Sequence, residues 1–177
     1  MSGLRSRLLS RWMIVLVGLL VGPSHLAHPT EASGDVLRDT LCSGAAVVSL
    51  SRDAPQEWRH IVREVLARES GVATREAGEQ IFVGSADVDG DGHIEIFAYI
   101  KSAEECGTRG CPLVVLRRQP IENIQRWVIV LEAISPDAKI CLSDERHTGF
   151  RDLHSSGVPG ERRFVWRGDR YVEAKQE

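Results

Sequence analysis

The chain has 177 residues, of which 42% are hydrophobic and 27% charged, and its formal net charge is −3 at pH 7. A chain of this length and composition can bury a sizeable hydrophobic core. Its acidic balance argues against a nucleic-acid-binding protein, whose surface would carry a basic face.

Residues 1–32 have the composition of a secretory signal. A short basic start is followed by an unbroken apolar run from Trp12 to Gly22. A run of this length is typical of a signal core and is too short for a transmembrane helix, which needs roughly 20 residues. Small residues follow, so we predict cleavage after Ala32. Cleavage after Ala27 and an uncleaved anchor are the alternatives.

Removal of this leader would take away three arginines and one glutamate. The remaining chain would carry 19 basic and 24 acidic residues, a net charge of −5. We expect a lead segment at 33–50 and one α+β domain at 51–177. The expected location is the periplasm or the outside of the cell, with no membrane span after the signal is removed.

The segment from Ser51 to Gly71 predicts one helix. Asp53 can cap its start, and Pro55 suits the first turn, where no amide hydrogen is needed. The apolar residues recur at the spacing of a single buried helix face: Trp58, Ile61, Val62, Val65 and Leu66.

From residue 81 onward the hydrophobic period changes to two, which is typical of β-strands. The β-rich segments are 81–88, 94–101, 111–118, 126–134 and 138–144, followed by a closing hairpin at 161–174. Strands joined by short loops behind one helix predict an α+β fold. We expect an antiparallel β-sheet with one amphipathic N-terminal helix packed on it, in a single domain.

Four carboxylates and two glycines are concentrated in "DVDGDGHIE", residues 87–95, which we call the acidic loop. Calcium takes six to eight oxygen ligands, and a loop can offer them from alternate residues. Position 12 of an EF-hand loop would here be Ala98 and not glutamate, which excludes an EF-hand. The candidate ligands are the side chains of Asp87, Asp89, Asp91 and Glu95 with the backbone oxygen of His93.

Two interpretations of the acidic loop stay open. It is similar to the aspartate-rich loops of FG-GAP repeats, which end in a carboxylate at the ninth position, and this similarity implies one weak calcium site. Asp-Gly pairs also form turns without a metal, but a plain turn leaves the crowding of four like charges unexplained. Extracellular calcium modules bind at roughly 10⁻⁴–10⁻³ M, so we expect a bracing ion. We predict no other cofactor.

Four cysteines stand at positions 42, 106, 111 and 141. An even number of cysteines in an exported chain favours two disulfides. Three pairings are possible, and we favour Cys106–Cys111 with Cys42–Cys141, because the two glycines of "CGTRGC" let the short segment fold back. A redox site would more usually be Cys-x-x-Cys, and zinc would need more ligands at closer spacing.

The order of four motifs resembles a group of small exported bacterial proteins with no established activity. The motifs are "ADVDGDGHIEIFAYI", "CGTRGC" followed by "PLVVLRR", "HTGFRDLHS" and "FVWRGDRYVE", which cover about residues 81–174. The group has an NGDG-type acidic loop, a CGxGGC-type bridge, a GWRDL-type segment and a WDGxxY-type C-terminal hairpin. Arg109, Phe150 and Arg167 depart from its usual residues. The resemblance places the four carboxylates in the loop and joins Cys106 to Cys111.

These features favour a non-enzymatic envelope module that binds a protein or another envelope component. The candidate surface is formed by Glu104, Glu105, Thr108 and Arg109. An inhibitor of a periplasmic hydrolase, such as lysozyme, fits the same size and compartment. The other alternative is a hydrolase that uses His147 and His154, which we place in a polar loop with Asp144, Glu145, Asp152, Ser155 and Ser156.

Overall fold

The computed structural model describes residues 42, 45–70, 80–157 and 160–175. The predicted signal at 1–32 lies outside these residues, as does most of the lead segment. The elements are β1 (Ala46–Val48), α1 (Gln56–Ser70), β2 (Gln80–Ala86), β3 (Glu95–Lys101), β4 (Cys111–Ile121), β5 (Ile124–Ser135), β6 (Ile140–His147), β7 (Phe150–Gly157), β8 (Gly160–Trp166) and β9 (Tyr171–Glu173).

The strands form two antiparallel sheets, where the sequence predicted one. One sheet is the four-stranded meander β2-β3-β4-β5, and the other has five strands in the order β1-β6-β7-β8-β9. The α+β class with mainly antiparallel strands is confirmed, with one helix among the described residues. β1 falls within the expected lead segment and pairs with β6.

Strand β7 corrects the prediction of a polar loop around His154. The segment pairs with β6 on one side and with β8 on the other. Leu153 is buried between the sheets, while Asp152 on the opposite side of the strand is equally buried and is held by an ion pair with Arg163 and a hydrogen bond with His147. The prediction was wrong because a polar strand whose charges are paired inside the protein has the composition of a loop.

Helix α1 packs on one face of the four-stranded sheet. Val62 and Val65 of the helix are buried in one cluster with apolar residues of β2, β3 and β4. Burial of an aliphatic side chain of this size stabilises the fold by about 1.5–3 kcal/mol. The exposed Arg68 lies in the last turn of the helix.

The opposite face of this sheet packs on the five-stranded sheet, so β3 is buried on both sides. Its residues divide in the way that the period of two predicts. Ile96 and Ala98 belong to the cluster under the helix. Phe97 and Tyr99 belong to the larger cluster between the sheets, with Trp166 of β8. This double burial fixes the position of Glu95 at the start of β3.

Two disulfides join Cys42 to Cys141 and Cys106 to Cys111, with Cα–Cα distances of 5.6 and 4.2 Å. These are the two pairs that the sequence favours. They indicate an oxidising, extracytoplasmic setting, because cytosolic thiols are usually kept reduced. Within the described residues, every helix falls short of the length and hydrophobicity that a membrane crossing requires.

Candidate functional site

The acidic loop connects β2 to β3 and is shaped by its own carboxylates. Asp87 accepts hydrogen bonds from the backbone N–H groups of Gly90 at 2.7 Å and Gly92 at 3.0 Å. Both glycines have φ of +84°, in the left-handed region that favours glycine. Burial raises the pKa of Asp87, but these N–H donors outweigh it and hold that pKa below its usual value.

Asp89 and Asp91 make the same kind of local turn. Each accepts a hydrogen bond from the backbone N–H two residues further on. Asp89 accepts from the Asp91 N–H at 3.2 Å, and Asp91 accepts from the His93 N–H at 2.7 Å. Side chains of aspartate commonly close turns in this way. The loop conformation therefore rests in part on bonds within the loop.

Glu95 is the anchor of the loop, because its side chain is only 1% exposed. One carboxylate oxygen accepts from the Val88 N–H at 3.0 Å, and the other accepts from Arg117 Nε at 3.2 Å. Burial raises the pKa of Glu95 to about 7, although the Val88 N–H and the charge of Arg117 act in the opposite direction.

Arg117, which the sequence analysis did not single out, extends from β4 into the acidic loop. Its Nη2 atom lies 2.5 Å from Asp89 Oδ2 and 3.4 Å from Asp91 Oδ2. The guanidinium also lies 4.7 Å from the ring centre of Phe150, which favours a cation through the ring quadrupole. The sequence shows an arginine directly after the apolar run "PLVVL", but its contact with this loop follows only from the register of the strands.

Three carboxylates of the loop come close enough to hold a metal ion. Oxygen atoms of Asp87, Asp89 and Glu95 lie within 4.8 Å of one another. The side chain of Asp91, which belongs to the set that the sequence proposed, lies outside this group of side-chain ligands. The sequence proposed His93 only through its backbone oxygen. Calcium would need additional oxygens from backbone or water. It would also share Asp89 and Glu95 with the guanidinium of Arg117.

The five-stranded sheet fastens the same loop from the other side. The carbonyl of Val88 accepts a hydrogen bond from the Arg151 N–H at 2.9 Å. Arg146 Nη1 donates to the carbonyls of Asp89 at 3.2 Å and Gly149 at 2.5 Å. The acidic loop is thus a joint between the two sheets.

The two histidines of the hydrolase hypothesis each pair with a different carboxylate. His147, at the end of β6, lies 2.7 Å from Asp152, which also binds Arg163 Nε at 2.9 Å. His154 of β7 pairs with Glu161 of β8. The contact of His147 with a buried aspartate is that of a base and its orienting group. Among the described residues, no serine hydroxyl is hydrogen-bonded to either histidine.

The disulfide Cys106–Cys111 closes what we call the cysteine ring, at the opposite end of the four-stranded sheet from the acidic loop. Gly107 and Gly110 exchange two backbone hydrogen bonds across it, of 2.9 and 3.1 Å. A Cβ on Gly110 would lie 2.0 Å from the Ser135 carbonyl oxygen, and its φ is +119°, so the site accepts only glycine. Thr108 and Arg109 form the exposed tip between the glycines.

The remaining residues of the predicted surface lie just before the ring. Glu104 and Glu105 are both exposed, in the turn that follows β3. The Glu105 N–H donates to Ser102 Oγ at 3.1 Å, and the Cys106 N–H donates to the Ser102 carbonyl at 3.1 Å. The structure therefore places all four predicted surface residues on one short, internally bonded segment.

Comparison with known protein families, curated proteins and solved structures finds no match to the chain. The features of the chain that bear on its function are therefore the acidic loop and the cysteine ring.

Proposed function

We propose that the chain is an exported, non-enzymatic envelope module that binds a protein partner through the cysteine ring. The observation that carries this proposal is the construction of the ring, in which a disulfide and two backbone hydrogen bonds hold an exposed Thr108-Arg109 tip. The contact of Gly110 with the Ser135 carbonyl fixes the ring against β5. The leader composition and the two disulfides support export.

A rigid tip favours binding because its conformational entropy is already lost before the partner arrives. Arginine is common among the residues that dominate binding energy, and its planar guanidinium can bind a carboxylate through two hydrogen bonds. The partner that this tip fits is therefore a protein with an acidic recess. A glycoside hydrolase, whose cleft carries two catalytic carboxylates, is one such partner, so the inhibitor hypothesis is a special case of this proposal.

The experiment is affinity capture from an envelope extract with the wild type, Arg109→Ala and Arg126→Ala. Arg126 is exposed near the β4–β5 turn, at the opposite end of the same sheet, and serves as the matched control. We expect one or more proteins to be retained by the wild type and by Arg126→Ala and to be lost with Arg109→Ala. The same set of proteins in all three samples would remove the ring from the proposal.

We also propose that the acidic loop binds one calcium ion weakly and that this ion braces the domain. The support is the approach of Asp87, Asp89 and Glu95 oxygens to within 4.8 Å. At ten times a millimolar Kd the ion would stabilise the fold by about 1.4 kcal/mol. For a domain of this size that corresponds to a rise in Tm of about 3–6 °C.

A thermal melt in EDTA and in excess calcium tests the bracing ion. The Tm of the wild type should rise with calcium, and Asp87→Asn should abolish the rise, since Asp87 is the carboxylate of the group that does not contact Arg117. Identical melting curves of the wild type in the two buffers would contradict a calcium site.

A hydrolase stays the second candidate, because His147 is oriented by the buried Asp152. Among the described residues no serine hydroxyl is hydrogen-bonded to His147. Such an enzyme would therefore use another nucleophile, for example a water molecule that His147 deprotonates. Any activity found in a panel of hydrolase substrates should disappear in His147→Ala and also in Asp152→Asn. Activity that survives both substitutions would end this candidate.

A further inference from the structure

The dipeptide Asp-Gly occurs twice in the chain, as Asp89-Gly90 and Asp91-Gly92, and both copies lie in the acidic loop. This dipeptide is chemically reactive, because glycine has no side chain to shield its nitrogen and lets the backbone turn freely. Both glycines are exposed, so water reaches them. The loop therefore contains two places where the backbone can be modified without an enzyme.

The reaction begins when the glycine nitrogen attacks the side-chain carboxyl carbon of the preceding aspartate. A new C–N bond forms, and the hydroxyl of the carboxyl group leaves as water together with the proton of the nitrogen. The product is a cyclic succinimide, which water then opens at either carbonyl. Opening at the original backbone carbonyl leaves the main chain running through the side-chain carbon, which is an isoaspartate. One water is lost and one is gained, so the mass of the chain is unchanged.

One carboxylate holds both attacking nitrogens in place. Asp87 Oδ1 accepts from the Gly90 N–H at 2.7 Å, and Asp87 Oδ2 accepts from the Gly92 N–H at 3.0 Å. Asp87 is itself well positioned, because the next residue, Val88, is buried and is hydrogen-bonded at both its N–H and its carbonyl. The attack requires the glycine peptide unit to rotate, which would break these bonds. Asp87 therefore opposes the reaction at both places.

The two attacked aspartates differ in how firmly they are held. The Asp89 side chain is 11% exposed and lies 2.5 Å from Arg117 Nη2, while the Asp91 side chain is 41% exposed and lies 3.4 Å from the same atom. A close guanidinium favours the ionised carboxylate, which a nitrogen nucleophile attacks poorly. Asp91 is therefore the more reactive of the two.

We propose that Asp91-Gly92 is a site of spontaneous isoaspartate formation and that the carboxylate of Asp87 limits its rate. An isoaspartate at position 91 inserts an extra carbon into the main chain of the acidic loop and displaces the Gly92 N–H from Asp87. Because the loop is bonded to both sheets, the reaction sets a chemical lifetime for the joint between them.

The test follows isoaspartate in purified wild type, Asp87→Ala and Asp169→Ala during a long incubation in EDTA at neutral pH and physiological temperature. Peptide mapping with electron-transfer fragmentation distinguishes isoaspartate from aspartate at each position. We expect wild type to accumulate it at Asp91 before Asp89. Asp87→Ala should react about ten-fold faster, the factor expected for the loss of a hydrogen bond to a charged group. Asp169 is 76% exposed and pairs with its neighbour Arg170, so the control should match the wild type.

A milder variant protects the test if Asp87→Ala fails to fold. Asp87→Asn keeps the size of the side chain and one acceptor oxygen, so it should give a smaller rise in rate; near-ultraviolet circular dichroism shows which variants are folded. An unchanged rate in the folded variants would overturn the proposal. A slower rate would also overturn it, since Asp87 would then act as a base that assists the attack, and so would modification of wild type that begins at Asp89 or never reaches Asp91.

Discussion

Arg117 connects strand β4 to the acidic loop and to the five-stranded sheet. Its guanidinium binds Asp89 and Glu95 of the acidic loop and lies against Phe150, which stacks on Trp166 at a centroid distance of 4.0 Å. The carboxylates could be predicted because they are adjacent in the sequence. Arg117 could not, because it meets Glu95 only through the pairing of β3 with β4.

Replacement of Arg117 by methionine should destabilise the fold by about 2–4 kcal/mol, since it leaves Glu95 buried without its counter-charge. The free energy of unfolding by urea in EDTA measures this loss. Arg118→Met is the matched control, because the exposed Arg118 lies beside Trp127 and outside the acidic loop. Equal stability of the two variants would show that Arg117 is not the counter-charge of the loop.

The raised pKa of Glu95 predicts a pH dependence of stability with a defined sign. Between its ordinary value of 4.5 and its folded value of about 7, the folded state keeps a proton that the unfolded state has released. Rising pH therefore favours unfolding across this window, and the contribution of Glu95 to stability falls from about pH 5 to pH 8.

The isosteric variant Glu95→Gln isolates this effect, because it cannot titrate. In EDTA, the Tm of the wild type relative to that of Glu95→Gln should be highest near pH 5 and should decline toward pH 8. A difference that stays constant over this range, or that grows with pH, would contradict the raised pKa.

At the scale of elements, the hydrophobic period predicted α1 and the strands of the four-stranded sheet well. β3 is the clearest case, because its two faces are both buried and its residues alternate between two apolar clusters. β1 and β7 escaped prediction for physical reasons. β1 has only three residues and is defined by its pairing with β6, and β7 carries charges that are satisfied by other strands.

Asp152 of β7 tests this account of a polar strand. It is fully buried between His147 and Arg163, so Asp152→Ala should cost about 1.5–3 kcal/mol by removing the hydrogen bonds that these two side chains make to its carboxylate. Asp144→Ala is the control, because Asp144 is 80% exposed in its pair with Arg151 and such pairs contribute about 0–1 kcal/mol. Urea unfolding of both variants measures the difference, and equal losses would refute the structural role of Asp152.

At the scale of the whole molecule, the two ends of the four-stranded sheet differ in kind. The acidic loop is held by side chains from both sheets, so it serves the joint between them. The cysteine ring is held by its own disulfide and by Ser135, and its tip is exposed. The sequence identified both segments, but only the fold shows that one is bonded to both sheets and that the other carries an exposed tip.

The most direct test of the binding proposal is the Kd of a captured partner for three proteins: the wild type, Arg109→Ala and the ring-opened Cys106→Ala/Cys111→Ala. Opening the ring keeps Arg109 but returns conformational freedom to the tip, at a cost of about 1–3 kcal/mol on binding. The Kd should therefore rise by roughly 10- to 100-fold, and Arg109→Ala should weaken binding as well. A Kd that is unchanged in both variants would contradict the proposal that the cysteine ring is the binding surface.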